Sequence, residues 1–228
     1  MGPLRIIAVR HGESEANLAY QRAGDTPLVY ERGDDEVTLT GRGVRQAAAL
    51  GRLLAGLPAD EAPEVVWCSP YLRALDTWKI AQEAWGIAAP LPVAVDERLC
   101  DRRWGELAPY NEAAIAQQFP EELARWRDEG DYVYRPPGGE SFGDVAVRLR
   151  DFLGDLREEA DGRRVLIVAH DAVVLILRHV IDETPDADLA AVARYAPIMN
   201  ASVSIWHAPE GALSLLSFND TAHLTPPG

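Results

Sequence analysis

Short apolar segments alternate with segments of helical pattern, and this alternation constrains the fold more than any other feature of the chain. Leu4–Val9, Glu64–Cys68 and Arg164–Ala169 have the apolar, β-branched composition of buried strands, and Pro92–Val95 is a weaker example. A segment of helical pattern follows each of the stronger runs. Strands that alternate with helices form mostly parallel sheets covered on both faces. We therefore predict an α/β fold arranged as a three-layer α/β/α sandwich.

The helices are predicted from capping residues and from the spacing of apolar side chains. Thr40 and Ser141 are suited to cap helix N-termini. Ser69 is predicted as a third N-cap, because Pro70 then occupies the first helical position. The predicted helices cover Glu13–Gln21, a segment after Thr40, Ser69 to about Trp85, Ser141 to about Ala160, and a segment from His170 to about Ile181.

The end of the chain predicts a hairpin. Ser202–His207 and Ala212–Phe218 have strand character and are separated by the turn residues Pro209–Gly211, so we expect an antiparallel edge to the parallel sheet. The sequence contains no internal repeat and no low-complexity linker. We predict one domain over residues 1–228, with a helical and loop insertion at about 100–139.

Charge and composition limit the partners of the chain. The 36 acidic residues outnumber the 22 basic ones, giving a net charge of −14. Such a field repels polyanions, so nucleic acid and anionic membranes are not expected partners. Residues Met1–Arg10 contain no apolar stretch long enough for a signal peptide, and a cytoplasmic location is expected. One sequence does not define an interface, so no oligomeric state is predicted.

Polar residues follow the ends of the predicted strands. His11 and His170 each come at the end of a strand, and a third strand ends at Ser69, just before the helix that carries Arg73. In open α/β sheets, ligands bind beyond the carboxyl ends of the strands. This convergence predicts a site containing both histidines.

The turn after the first strand has the properties of an anion site. His11 precedes a helix N-terminus, whose free N–H groups favour negative charge. Arg10 supplies a guanidinium suited to phosphate oxygens, and Gly12 allows the backbone to approach the anion closely. Glu13 has two equally weighted interpretations, orientation of a site residue or stabilisation of a helix N-terminus. We predict phosphate binding by Arg10 and Gly12.

Five segments in order carry a resemblance to a known family. They are Arg10–Asn17 (RHGESEAN), Leu39–Ala47 (LTGRGVRQA), Ser69–Thr77 (SPYLRALDT), Pro137–Phe142 (PGGESF) and Val168–Asp171 (VAHD). Together they resemble the histidine phosphatase superfamily, the phosphoglycerate mutase-like proteins. The resemblance extends from about Leu4 to Asn200, most of the chain.

The resemblance implies a role for each matching residue. His11 corresponds to the nucleophile that accepts the phosphoryl group as a phosphohistidine, a task suited to a neutral imidazole. Arg10, Arg73 and His170 correspond to the groups that hold the phosphoryl oxygens, and Asn17 to a further hydrogen-bond donor. The resemblance implies no cofactor and no metal, and no His/Cys/Asp/Glu cluster in the sequence has metal-ligand spacing.

The proton donor departs from the common pattern. Asp101, four residues before Gly105, stands where many relatives carry glutamate. An aspartate must have its pKa raised from about 3.9 to donate a proton near neutrality. Glu97 is the alternative acid. Asp171 also departs from the pattern, because glycine is commoner after the histidine, and we expect its side chain to turn away from the phosphate.

The predicted activity is hydrolysis of a small phosphomonoester. A mutase needs additional cations for a second anionic group, whereas the segment from Tyr110 to Arg135 is markedly acidic. Phosphoglycerate mutase-type transfer is the main alternative, and a non-catalytic phospho-ligand-binding module is the second. The aromatic residues of the insertion form either a small core of their own or a recess for the substrate. They are Trp104, Tyr110, Phe119, Trp126, Tyr132 and Tyr134.

Overall fold

A computed structural model describes residues 2–183, 197–208 and 211–225. Within these ranges the strands are β1 (Arg5–Arg10), β2 (Val65–Cys68), β3 (Val93–Val95), β4 (Arg164–Ala169), β5 (Val203–His207) and β6 (Ser214–Asp220). The α-helices are α1 (Glu15–Ala23), α2 (Gly41–Ala55), α3 (Leu72–Trp85), α4 (Glu112–Gln118), α5 (Pro120–Glu129), α6 (Phe142–Glu159) and α7 (Asp171–Ile181).

The strands form one mixed sheet in the order β3-β2-β4-β1-β5-β6. The β3–β2, β2–β4 and β4–β1 pairs are parallel, with Arg5 opposite Arg164 and Val65 opposite Val165. The β1–β5 and β5–β6 pairs are antiparallel, so the C-terminal hairpin closes one edge of the sheet. The predicted α/β fold with an antiparallel edge is confirmed. Pro209 and Glu210 of the predicted turn lie outside the described residues.

Side chains of the central strands alternate between two apolar layers. Ile7, Val9 and Val66 point to the face covered by α2 and α3. Ile6 and Ala8 point to the opposite face, which is covered by α6 and α7. Both faces of these strands are buried, which explains their continuous apolar runs. The three-layer arrangement is therefore also confirmed.

The start of α3 differs from its prediction. The helix begins at Leu72, with Tyr71 rather than Ser69 as its N-cap. The Ser69 hydroxyl accepts a hydrogen bond from the Tyr71 backbone N–H and contacts Nε2 of His170 at 2.8 Å. The Ser69 hydroxyl therefore forms a local turn and a contact with His170 at the end of the neighbouring strand β4, instead of the predicted helix cap.

The segment at 100–139 has a small apolar cluster of its own. Leu107, Ile115, Leu123 and Tyr134 are buried in it. Its half-buried neighbours are Trp104, Tyr110, Phe119 and Trp126. Tyr132 instead packs against the main core, beside His179. The aromatic residues thus serve mainly as core, although some also face the cavity described below. Among the described helices, none has the length and apolar character required to cross a bilayer.

Candidate active site

The carboxyl ends of β1, β2 and β4 meet beside a cavity of about 480 Å³. The backbone N–H of His11, just beyond β1, donates to the carbonyl of Ala169 at the end of β4. His170 follows β4, and the rings of His11 and His170 lie edge to face with centroids 5.2 Å apart. His11 lines the cavity, together with Arg10, Arg73, Asn17 and Asp101. The predicted site residues are thus brought together, except Glu97.

Hydrogen bonds define the tautomer of His11. Its Nδ1 lies 2.7 Å from the carbonyl oxygen of Gly12, which can only accept, so Nδ1 carries the proton. Nε of Arg73 donates to Nε2 of His11 at 3.1 Å, and a guanidinium can only donate. Both contacts are satisfied by a neutral imidazole with its lone pair on Nε2.

The environment keeps both histidines neutral. Burial is the largest cause that lowers the pKa of His11 and of His170 well below the ordinary value of 6.5. The positive charge of Arg73 is the next cause for each ring, and Arg10 contributes to both. A neutral imidazole retains the lone pair that a nucleophile needs.

Arg73 joins three parts of the site. The side chain is only 4% exposed, and its Nη2 donates to Oδ2 of Asp101 at 3.2 Å. Its Nη1 pairs with Oδ1 of Asp34 at 2.9 Å and also donates to the Asp34 carbonyl. Since Arg73 also contacts His11, this guanidinium positions the imidazole and the carboxyl group of Asp101 relative to each other.

Asp171 does not turn away from the site, and that prediction was wrong. Its side chain lines the cavity, and Oδ2 lies 3.8 Å from Nη2 of Arg10. Oδ1 accepts from the backbone N–H of Ala172 at the start of α7. Arg10 itself donates to the carbonyl of Ile198. The arginine and the helix N-terminus together attract the carboxylate inward.

Asn17 presents one side of its amide to the protein. Its Oδ1 accepts from the backbone N–H of Ser14 and from Nδ2 of Asn200, at 3.1 and 3.0 Å. Ser14 in return caps α1 by accepting from the Asn17 backbone. Because the oxygen is engaged and the residue lines the cavity, the amide nitrogen is the group that Asn17 can offer to a ligand.

Asp101 has the raised pKa that a proton donor requires. Burial is the largest cause, and the negative charges of Asp171 and Asp34 act in the same direction. Arg73 and the Arg102 backbone N–H oppose the shift, and the resulting pKa is about 7. Oδ2 of Asp101 lies 3.6 Å from Nδ1 of His170, so the carboxyl group stands beside both histidines.

The loop that carries Asp101 is anchored to α6. Nη2 of Arg148 donates to the carbonyls of Cys100 and Asp101 at 2.9 and 3.2 Å. Arg148 is itself paired with Glu140 at 3.0 Å. The exposed Glu97, by contrast, does not line the cavity, and its carboxylate accepts from the thiol of Cys100.

Glu13 serves the N-terminus of α2. Its carboxylate accepts from the Thr40 hydroxyl at 2.7 Å and pairs with Arg42 at 3.2 Å. The turn and the helix approach closely, because a Cβ atom on Gly12 would lie 2.6 Å from the Gly43 carbonyl oxygen. Of the two interpretations, the structure supports stabilisation of a helix N-terminus, that of α2.

Gly43→Ala is expected to destabilise the protein by about 2 kcal/mol or more, because overpacking forces backbone shifts. The added Cβ would lie 2.1 Å from the carbonyl oxygen of Glu13. Gly154→Ala is the matched control, since its Cβ would meet nothing within 4 Å inside α6. That variant should stabilise by about 0.5–1 kcal/mol. Urea denaturation checks both, and equal effects would contradict the close approach.

Sequence patterns did not identify every residue of the site. Asp34 lies in a segment without periodicity, yet it pairs with Arg73. Asn200 contacts both Asn17 and the His11 carbonyl from beyond α7. Tyr71 places its ring 5.1 Å from His170. Of these three residues, only Tyr71 could have been suspected from the sequence, because it lies close to Ser69 at the end of a predicted strand. The contacts of Asp34 and Asn200 depend on loops that are distant in sequence.

The described residues contain no group of three or more His, Cys, Asp or Glu side chains arranged to hold a metal ion. The positive groups at the cavity are the guanidinium groups of Arg10, Arg73 and Arg102.

Comparison with known proteins agrees with this arrangement. The model of the histidine phosphatase superfamily (branch 1) matches residues 6–221. The 2,3-bisphosphoglycerate-dependent phosphoglycerate mutase 2 of Gloeobacter violaceus is 36% identical over 187 residues, which are 78% of this chain and 77% of that protein. The metal-independent phosphoserine phosphatase of Arabidopsis thaliana is 28% identical over 98% of this chain and 84% of its own length.

A solved structure gives the same result. A mycobacterial glucosyl-3-phosphoglycerate phosphatase in complex with VO3 is similar with a TM-score of 0.74 and 27% identity. The similarity covers 95% of this chain and 99% of that one. The family match extends over nearly the whole sequence and includes all six strands except the first residue of β1. The chain therefore belongs to branch 1 of the histidine phosphatase superfamily.

Proposed function

We propose that this protein hydrolyses a small phosphomonoester through a phosphohistidine intermediate on His11. The observation that carries the proposal is the state of His11, a buried neutral imidazole at the cavity with its lone pair on Nε2. Such a nitrogen can attack phosphorus without first losing a proton. The two arginines beside it supply the positive charge that phosphoryl transfer requires.

Groups for the phosphoryl oxygens surround His11. Among the described residues, neither Nε of Arg10 nor Nδ1 of His170 has a hydrogen-bond partner, although both atoms are buried. Unpaired buried donors are costly, and a bound oxyanion would satisfy them. In neutral His170, Nδ1 is a donor when Ser69 donates its hydroxyl proton to Nε2. Arg73 and the amide nitrogen of Asn17 complete the proposed set.

The proposed cycle has two balanced steps. Arg73 moves its hydrogen bond from Nε2 of His11 to a phosphoryl oxygen, which frees the lone pair. Nε2 then attacks phosphorus while the ester P–O bond breaks, and Asp101 transfers its proton to the departing alcohol oxygen. Water then attacks the phosphohistidine, giving a proton to the Asp101 carboxylate as the P–N bond breaks. Inorganic phosphate leaves, and both side chains return to their initial states. A pKa of about 7 suits Asp101 to both roles at neutral pH.

The charge distribution favours hydrolysis over mutase-type transfer. The chain resembles both phosphoglycerate mutases, at 36% identity, and phosphatases, at 28% and 27%, so this choice rests on the charges of the cavity. A mutase substrate carries a second anionic group, for which the third cavity arginine, Arg102, would have to be free. Arg102 instead donates to the carbonyls of Glu140 and Tyr134 at 2.8 and 3.0 Å.

Phosphate release from a panel of phosphomonoesters in excess EDTA tests the proposal. We expect release that continues undiminished in EDTA, because arginines rather than a metal neutralise the phosphoryl group. Acid-labile, base-stable phosphate on His11, detected by mass spectrometry after rapid quenching, should accompany turnover. Loss of activity in EDTA would contradict metal independence. Interconversion of phosphoglycerates without phosphate release would indicate a mutase, and ester binding without turnover a non-catalytic module.

A further inference from the structure

The part of the cavity away from His11, Arg10 and Arg73 has largely apolar walls. Trp104, Tyr110 and Trp126 line one part of it, and each is half-buried in the insertion's cluster. Leu175, one helical turn after Asp171 on α7, and the buried Ile198 also line the cavity. The whole cavity, with a volume of about 480 Å³, can hold a phosphoryl group together with a ring-sized alcohol.

The cavity arginines are already engaged by protein groups. Arg73 is paired with Asp34 and Asp101. Arg102 is bound to backbone carbonyls and lies 3.6 Å from Asp131. Arg10 lies 3.8 Å from Asp171, and the proposed mechanism assigns the remaining charge of Arg10 and Arg73 to the phosphoryl group. Within the described part of the chain, no further guanidinium or ammonium group lines the cavity.

Acidic groups balance the basic ones along the same walls, even when the proton donor Asp101 is protonated. Asp34, Asp171 and Glu112 line the cavity together with its three arginines. The carboxylate of Asp171 is 46% exposed, and its 3.8 Å separation from Arg10 leaves much of its charge uncompensated. A bound phosphoryl dianion makes the field more negative still. A second anionic group on the substrate would therefore be repelled.

We propose that the site selects phosphomonoesters of uncharged, largely apolar alcohols of about ring size, and discriminates against substrates with a second anionic group. This inference rests on the proposed function, since it concerns the same cavity. Apolar walls favour burial of the alcohol, whereas a carboxylate there would lose its hydration without gaining a cationic partner.

Two esters of nearly identical shape test the inference. They are 4-(methoxycarbonyl)benzyl phosphate and 4-carboxybenzyl phosphate, whose leaving oxygens are separated from the variable group by the ring. The ratio of their kcat/KM values for phosphate release is measured at pH 7 in wild type, with His11→Ala as the blank. We expect the methyl ester to be preferred by about tenfold or more, from the repulsion of like charges at low effective dielectric.

A pair of variants identifies the cause of the preference. Asp171→Asn should lower the ester-to-acid ratio by about threefold or more, because it removes the least compensated carboxylate. Because Asp171 helps to raise the pKa of Asp101, the substitution also changes that pKa. This change affects kcat/KM for both substrates alike and cancels in their ratio. Asp60→Asn makes the same change on an exposed residue that does not line the cavity, and should keep the wild-type ratio.

A second pair of variants tests the apolar wall. Leu175→Ala should lower kcat/KM for 4-(methoxycarbonyl)benzyl phosphate, relative to that for glycerol 2-phosphate, by about threefold to tenfold, because the ring of the substrate is then less well buried. Val95→Ala, at an exposed position on β3, is the control and should not change this ratio.

The outcomes separate the two proposals. Release that depends on His11 but favours the carboxylate, or is equal for both esters, overturns the inference and leaves the phosphatase proposal intact. The inference is also overturned if Asp171→Asn keeps the wild-type ratio of methyl ester to carboxylate and Leu175→Ala keeps the wild-type ratio of methyl ester to glycerol 2-phosphate. The absence of His11-dependent release from every ester, including glycerol 2-phosphate, overturns the proposed function itself.

Discussion

His11→Ala is expected to lower kcat by about 10⁴-fold or more, because covalent catalysis has no substitute nucleophile once the imidazole is removed. Nε2 of His11 is held by Arg73 at 3.1 Å and has a lone pair at neutral pH. In neutral His170, Nδ1 carries the proton and the lone pair of Nε2 accepts from the Ser69 hydroxyl at 2.8 Å, so His170 is not placed to replace His11 as the nucleophile. Steady-state phosphate release and the loss of the trapped phosphohistidine both measure the effect.

Two further measurements make the His11 result specific. His207→Ala removes a half-buried histidine of β5 that does not line the cavity, and it should retain wild-type kcat. Vanadate or phosphate binding by His11→Ala, measured by calorimetry, should persist through Arg10 and Arg73. Substantial phosphate release by His11→Ala would show that phosphoryl transfer does not pass through this residue.

The fold could be predicted from sequence because local and global signals agree. β1 and β4 are apolar on both faces, as buried parallel strands must be, and each is followed by a helix. Thr40 and Ser141 cap the helices predicted for them. The start of α3 was misplaced because the Ser69 hydroxyl contacts His170, a residue distant in sequence, and local capping rules cannot include such a contact.

The site could be predicted only in part, for a related physical reason. His11 and Arg73 lie at strand ends or helix starts, where the topology of a parallel sheet brings them together. Asp34 reaches Arg73 from a loop without periodicity, so its position depends on tertiary packing alone. The inward orientation of Asp171 results from its contacts with Arg10 and the Ala172 backbone. The prediction considered only the repulsion between the carboxylate and phosphate, so it missed these contacts.

Asp101→Asn is expected to produce a loss that depends on the leaving group. Esters of alkyl alcohols need a proton on the departing oxygen, and kcat for them should fall by about 10²- to 10³-fold. Hydrolysis of p-nitrophenyl phosphate needs less protonation, so its first step should fall far less. Glu97→Gln is the matched control and should retain activity, because Glu97 is exposed and does not line the cavity. The reverse pattern would assign the acid to Glu97.

The pH profile provides the sharper test of Asp101. With a pKa raised to about 7, the carboxyl group is increasingly deprotonated above neutrality, so kcat/KM for alkyl esters should decline as pH rises through 7. Asp101→Asn has no such proton, and its residual rate should not show that decline. The raised pKa also means that wild-type stability from this group is greatest below about pH 4 and is lost as pH rises towards 7. Asp101→Asn should therefore be at least as stable as wild type at pH 8 in thermal unfolding, which would separate lost catalysis from lost folding. A decline above pH 7 that persists in Asp101→Asn would assign it to another group.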